Sequence, residues 1–320
     1  MNFHSNYIHS FVAGLFVVSA SIFLSCQESV AMPHHGEFSE VHNPKIPMNM
    51  QFAGQNVSLD RVDMFERFDR ELTSLIYSHG NTLLTLKRAN KYFPVMAPIL
   101  KKNGVPLDLL YLACVESYLN HRAYSPAKAA GFWQFLPSTG TQYGLEVSDE
   151  VDERYNLEKA TEAACRYLNN AYRKYGDWAT VMASYNGGMG RLSSELEKQQ
   201  GKTFFDLYLT EETSRYVFRI MAMKAVLENP SAFGFRLTPE QFYQPVEYTT
   251  EEVSGPVEDW PAWAAERGLT YAQLREENPW IRSKKLTNKN GKTYQVRLPK
   301  KDSLFRSTNK KTLYNPNWAK

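Results

Sequence analysis

Apolar residues recur at three- and four-residue intervals through most of the chain. From Ser58 they fall at Leu59, Val62, Phe65, Phe68, Leu72, Leu75 and Ile76, one face of an amphipathic helix with Ser58 as its N-cap. A second helical segment follows, broken or kinked near Pro94 and Pro98 and closed by Asn103-Gly104. Pro106 suits the first position of a third helix, with Asp108 in its first turn. Three more are readable: Ala160–Tyr175, ending at Gly176; a short Trp178–Tyr185, running into "NGGMG"; and Thr213–Glu228, ending at Asn229-Pro230. Strand-like alternation is almost absent before residue 240. Beyond it, "VEYTT", "WPAWAAERG", "TYAQLREENPW" and "TYQVRLP" predict strand, helix, helix and strand, with Thr270 and Gln273 at capping-box spacing. The chain is therefore expected to be mainly α, with a small βααβ module after the helical domain.

The two ends differ from this middle. Before Lys45 there is no Lys or Arg, and "FVAGLFVVSASIFLSC" is an apolar run ending at Cys26. It is shorter than the ~20 residues a membrane span needs and reads as the apolar core of a secretory signal. "FLSC" resembles a lipobox, with Phe23 where Leu is usual; the alternatives are plain secretion and an uncleaved anchor. All three export the chain, so nucleic acid is not an expected partner. Residues 26–57, rich in His, Pro, Asn and Gln, read as a tether. With Cys26 lipidated, Cys114 and Cys165 remain as buried thiols, or as a disulfide that an exported protein permits. The net charge is only +3, yet residues 282–320 hold twelve Lys or Arg against Asp302 alone. Such a tail is either a solvated end or a surface drawn to an anionic envelope polymer or membrane.

One carboxylate is out of pattern. Glu116 stands in "LLYLACVESYLN", where its one-turn neighbours are Leu112, Ala113, Leu119 and Asn120. Burying an ionised carboxylate is costly, so such a group finds a cationic partner or holds its proton. Taken alone, Glu116 is a paired core residue or a general acid kept protonated by an apolar wall. No H-E-x-x-H, C-x-x-C or G-x-S-x-G occurs, and "GGMG" follows a helix where a nucleotide loop follows a strand.

The stretches "VESYLNHRAYSPAKAAGFWQFLPSTGTQYGL", "VDERYNLEKATEAACRYL" and "ASYNGGMGRL", in that order, resemble the catalytic domain of family 1 lytic transglycosylases, the SLT domain, over roughly residues 88–237. "GFWQ" favours their membrane-bound D-type members. The resemblance implies a lysozyme-like helical catalytic domain in which Glu116 is the single acid/base. It implies substrate contacts from Ser117, Ser125, Gln134, Tyr185, Asn186, Glu212 and Tyr216. Ser184 stands where the family has Ala, and Phe218 where it has Pro. The implied substrate is the peptidoglycan glycan strand, cut between N-acetylmuramic acid and N-acetylglucosamine with 1,6-anhydro ends, without metal or cofactor. A hydrolytic muramidase and a non-catalytic wall-binding protein are the rival readings.

The C-terminal module resembles a LysM domain, a peptidoglycan-binding unit, though "EDWPAW" departs from its usual first helix. Trp260, Trp263 and Trp280 could stack on sugars, with at least two of them expected in the core. The expected organisation is a lipoprotein-type signal peptide over 1–25, the tether over 26–57, the catalytic domain over 58–237, the LysM-like module over 246–299 and a basic tail over 300–320. The expected location is the periplasmic face of the cell envelope, anchored by lipid on Cys26 in the outer membrane.

Overall fold

A computed structural model describes residues 43–319. The apolar run ending at Cys26 lies outside the described residues, as does most of the expected tether. No helix among the described residues is long and apolar enough to cross a membrane.

Ten residues assigned to the tether or to the first helix are instead a β-hairpin. Strands β1 (Asn49–Phe52) and β2 (Gln55–Ser58) pair antiparallel, with Asn49 opposite Ser58 and Phe52 opposite Gln55. Ala53 and Gly54 both take positive φ, 50° and 83°, as a two-residue type I′ turn requires. Met50, Phe52, Val57 and Leu59 are buried on one side. Four-residue strands in a polar setting give too little alternation to stand out, which is why composition suggested a tether.

The helix after the hairpin, α1, spans Val62–Tyr77 and buries Phe68, Leu72 and Ile76. It starts later than expected, because Ser58 is committed to the hairpin. Val62 and Phe65 are consequently exposed. Helix α2 (His79–Lys102) runs unbroken through Pro94 and Pro98, correcting the expected break. Each proline removes one intrahelical donor, but Leu86, Ala89, Phe93, Met96 and Leu100 keep one continuous face in the core. Burial along that face outweighs two missing hydrogen bonds.

Pro106 precedes a 3-10 turn, Leu107–Leu109, which leads into α3 (Leu110–Ser117). Then come α4 (Pro137–Gln142), α5 (Leu157–Tyr175), α6 (Trp178–Gly187), α7 (Met189–Lys198) and α8 (Glu211–Glu228). Helix α5 is capped by the Asn156 side chain and closed by left-handed Gly176, the expected terminator. Helix α8 packs on α1, α3 and α6, and α5 packs on α2 and α6. Cys114 and Cys165 are buried free thiols.

The C-terminal module has the expected order: β3 (Tyr248–Val253), α9 (Trp260–Glu266), α10 (Tyr271–Glu277) and β4 (Tyr294–Pro299). Strands β3 and β4 pair antiparallel, Tyr248 opposite Pro299 and Val253 opposite Tyr294, and the Thr270–Gln273 capping box is formed. Trp260 and Trp280 are buried, while Trp263 lies partly open beneath the Arg267 guanidinium, 3.6 Å from its ring centre. The module's core is continuous with Ala130, Val151 and Tyr155 of the helical domain. Backbone bonds cross the same seam, Asp152 N to Trp280 O and Arg282 N to Glu150 O, both 2.9 Å.

The basic tail is not a loose end. Asn90 of α2 donates to Thr312 O at 2.9 Å and accepts from Tyr314 N at 2.8 Å. Trp318 is buried, stacks on Phe242 and donates its indole N–H to Leu227 O at 2.5 Å. An indole and an asparagine pocket fix a segment that charge counting describes only as basic.

Candidate active site

Glu116 occupies the last turn of α3, with Leu112, Ala113 and Leu119 fully buried around it. The helix ends abruptly because Tyr118 and Leu119 both adopt left-handed backbone, φ 49° and 53°. Burial pushes the Glu116 carboxyl up to about 7. A hydrogen bond from Tyr216 opposes that shift, and the nearby charge of Glu212 adds to it. Tyr216, buried on α8, donates its phenol to Glu116 Oε1 and is the carboxyl's only hydrogen-bond partner among the described residues. Burial and the adjacent carboxylate hold the Tyr216 phenol well above its ordinary range, so it remains a donor throughout the useful pH range. Of the two readings for Glu116 taken alone, the cationic partner is not found: no Lys or Arg pairs with it among the described residues.

Tyr185, in α6, lies near enough to the carboxyl to feel its charge. Its phenol donates to Trp133 O at 2.7 Å, and its ring meets Tyr167 edge-on at 5.0 Å. Burial, then the Glu116 charge, raises its phenol well above the ordinary value. Asn186 donates to Glu212 Oε1 at 3.1 Å and accepts from Thr213 Oγ1 at 2.9 Å, linking the end of α6 to the start of α8. Glu116, Tyr185, Asn186, Glu212 and Tyr216 thus form one connected group from three helices.

Ser117, Ser125 and Gln134 make their hydrogen bonds to the backbone around the site. Ser117 is buried and bonds the carbonyls of Ala113 and Phe132, at 3.1 and 2.9 Å. These two bonds tie the last turn of α3 to the loop that follows it. Ser125 Oγ accepts from Ala129 N at 3.0 Å, closing a turn. Gln134, itself at φ 47°, donates to Gly131 O at 2.8 Å and Ala123 O at 3.3 Å. Neither bonds Glu116; both shape the loop from Asn120 to Phe135.

That loop is also pinned from below by residues the sequence did not single out. Arg154 makes a two-pronged pair with Asp152, at 2.9 and 2.7 Å, with both side chains buried. Its remaining nitrogen donates to Lys128 O at 2.7 Å and Phe135 O at 3.0 Å. Gly131, at φ 76°, passes so close that an added Cβ would lie 2.0 Å from Arg154 O. In sequence, "VDERY" is a run of charges typical of a surface turn, and nothing there announces a buried clamp.

Residues 95–207 match the family model described as the transglycosylase SLT domain. The chain carries an SLT domain. Residues 249–302 match a second model, the soluble lytic transglycosylase C-terminal LysM-like domain, so the βααβ module is of the kind expected. Within the SLT match lie Glu116, Ser117, Ser125, Gln134, Tyr185 and Asn186; Glu212 and Tyr216 fall just beyond it. The membrane-bound lytic murein transglycosylases D of Escherichia coli strains K12 and O6:H1 are each 32% identical over 249 residues, 74% of this chain. The chain spans about half, 51%, of the length of those relatives. Among solved structures, the 70 kDa soluble lytic transglycosylase of Escherichia coli matches at TM-score 0.39 and 23% identity, over 43% of this chain and 24% of that one. An inactive mutant of lytic transglycosylase Slt from Pseudomonas aeruginosa matches at 0.37 and 17%, over 42% and 24%.

Proposed function

We propose that the protein is a peptidoglycan lytic transglycosylase in which Glu116 is the sole acid and base. One observation carries this reading: a single carboxyl, pushed up to about 7 by burial, held by the Tyr216 phenol inside an SLT domain. Most glycosidases use two carboxylates flanking the scissile bond. Here the nearest second one, Glu212, is exposed and bonded to Asn186, which suits it to tuning and substrate contact.

In the first step, protonated Glu116 donates to the glycosidic oxygen between N-acetylmuramic acid and N-acetylglucosamine, and the C1–O bond breaks. The muramyl acetamido group stabilises the positive charge at C1. Glu116, now a carboxylate, removes the proton of the same sugar's C6 hydroxyl, whose oxygen bonds C1 and closes the 1,6-anhydro ring. A nucleophile already within the substrate has the proximity advantage over water. The Tyr216 phenol steadies the carboxylate form, and Tyr185 and Ser125 line the approach.

Digestion of purified peptidoglycan followed by mass spectrometry of the muropeptides tests this. Anhydromuramic ends are expected; reducing muramic ends would instead establish a muramidase. A wall-binding protein without activity would release neither. The names of the relatives also support an envelope location, and we assign lipid on Cys26 and the outer membrane as the anchor. Labelling of the chain with an alkyne fatty acid, lost in Cys26→Ala, is the expected result.

A further inference from the structure

The strongly basic C-terminal segment has no part in the chemistry above, yet it folds against the catalytic domain and completes a cleft. This cleft, of about 570 Å³, lies between α2, Asn120-His121, residues 240–244 and residues 303–311. Lys87 and Arg88 enter it from α2, and Arg306 and Lys311 from the tail. Among the described residues, none of these four cations has a carboxylate within ion-pair distance. Arg88 donates to Tyr118 O at 3.0 Å, Arg306 to Glu240 O at 3.2 Å and Lys311 to Arg306 O at 2.6 Å. Lys87 has neither a hydrogen bond nor an ion pair among the described residues. Of the acids on the walls, Glu276 is taken by His121 and Arg122, while Glu240, bonded to Thr238, also feels the charge of Lys311; Lys87, Arg88 and Arg306 are the cations left without an acidic partner. The cleft also adjoins the chemistry, since Arg88 holds the carbonyl two residues beyond Glu116 and Asn120 begins the loop that carries Gln134.

Cations that outnumber the acids on one concavity repel one another and favour an anionic occupant. A concave channel fits an extended oligomer better than the flat face of a lipid bilayer. We propose that this cleft binds the free carboxylates of the peptide stems carried by the glycan strand, so that the protein favours stem-bearing over naked glycan. This rests on the reading of peptidoglycan as the substrate.

The test is co-sedimentation of the full chain with purified sacculi, either intact or stripped of their stems by an amidase. The parent is expected to bind intact sacculi about tenfold more tightly, as two or more surface cation–carboxylate contacts supply, and the preference is expected to fade at high salt. Lys87→Gln combined with Arg306→Gln should abolish the preference, and Lys101→Gln, exposed elsewhere on α2, should keep it. A thermal melt checks that the double variant is folded. Should it not be, Lys87→Gln alone carries the test, since it breaks no contact. Equal binding of the parent to both sacculi, or an undiminished preference in the variant, overturns the proposal. So does loss of binding to phosphatidylglycerol vesicles with the sacculus preference intact, which reassigns the cleft to a membrane surface. Stem-dependent binding without anhydro products would refute the lyase reading and leave the cleft standing. Anhydro products without stem preference would do the reverse.

Discussion

Glu116 is the residue on which the chemistry and its cost meet. The carboxyl is ordinarily half-ionised at 4.5 and here at about 7, so the protonated acid needed for the first step is abundant at neutral pH. Activity is expected to fall as pH rises through 7, about tenfold for each unit beyond it. Glu116→Gln should lose two or more orders of magnitude in release of anhydromuropeptides, since the second carboxylate there, Glu212, is exposed and held by Asn186. The sign for stability follows from the same shift. Below about 4.5 the folded and unfolded chains are both protonated at this site; between 4.5 and 7 only the folded one keeps its proton. Stability therefore declines through that window, and Glu116→Gln, with no charge to bury, should gain up to about 3 kcal/mol over the parent above pH 7. Denaturant melts at pH 4.5 and 8 measure the difference. Two neighbours should move the rate profile in opposite directions. Tyr216→Phe removes the bond that lowers the Glu116 value and shifts the midpoint up. Glu212→Gln removes a charge that raises it and shifts the midpoint down.

At the scale of elements, the loop from Asn120 to Phe135 decides how well Glu116 is faced. Arg154→Met would leave Asp152 buried without its partner, a loss of about 3–5 kcal/mol. It would also free the carbonyls of Lys128 and Phe135, so kcat should fall at pH values where the fold is intact; urea melts and steady-state rates separate the two effects. What the sequence disclosed follows the same division. A carboxylate in an apolar run is conspicuous, and so are helices with sustained periodicity, such as α5. The clamp under the loop was invisible, because Asp152 and Arg154 look like surface charges until the fold closes over them. Likewise Ser117 looked like part of a signature, and only its burial reveals the bond to Phe132 O. Pro94 and Pro98 misled for a converse reason: their local preference is real, but packing along α2 overrides it.

For the whole molecule, the shared core around Ala130, Val151 and Tyr155 makes the SLT domain and the LysM-like module one cooperative unit. Calorimetry should show a single unfolding transition for residues 43–319, where two independently folded domains would give two. Trp280→Ala, which removes a buried ring stacked on Tyr294, should cost about 3–5 kcal/mol and lower that common transition, with no separate early melt of the module.

The seam at Ala130 also has a bearing on timing. Synthesis delivers a chain from its N-terminus, so the helix bearing Glu116 emerges well before the residues that pack against the back of its loop. Until β4 has paired with β3 and Trp280 has met Asp152, the loop lacks one of its walls. A chain interrupted anywhere before the module would then carry the acid without the frame that aims it. For the glycan-cutting activity proposed above, late completion of the frame is a built-in delay.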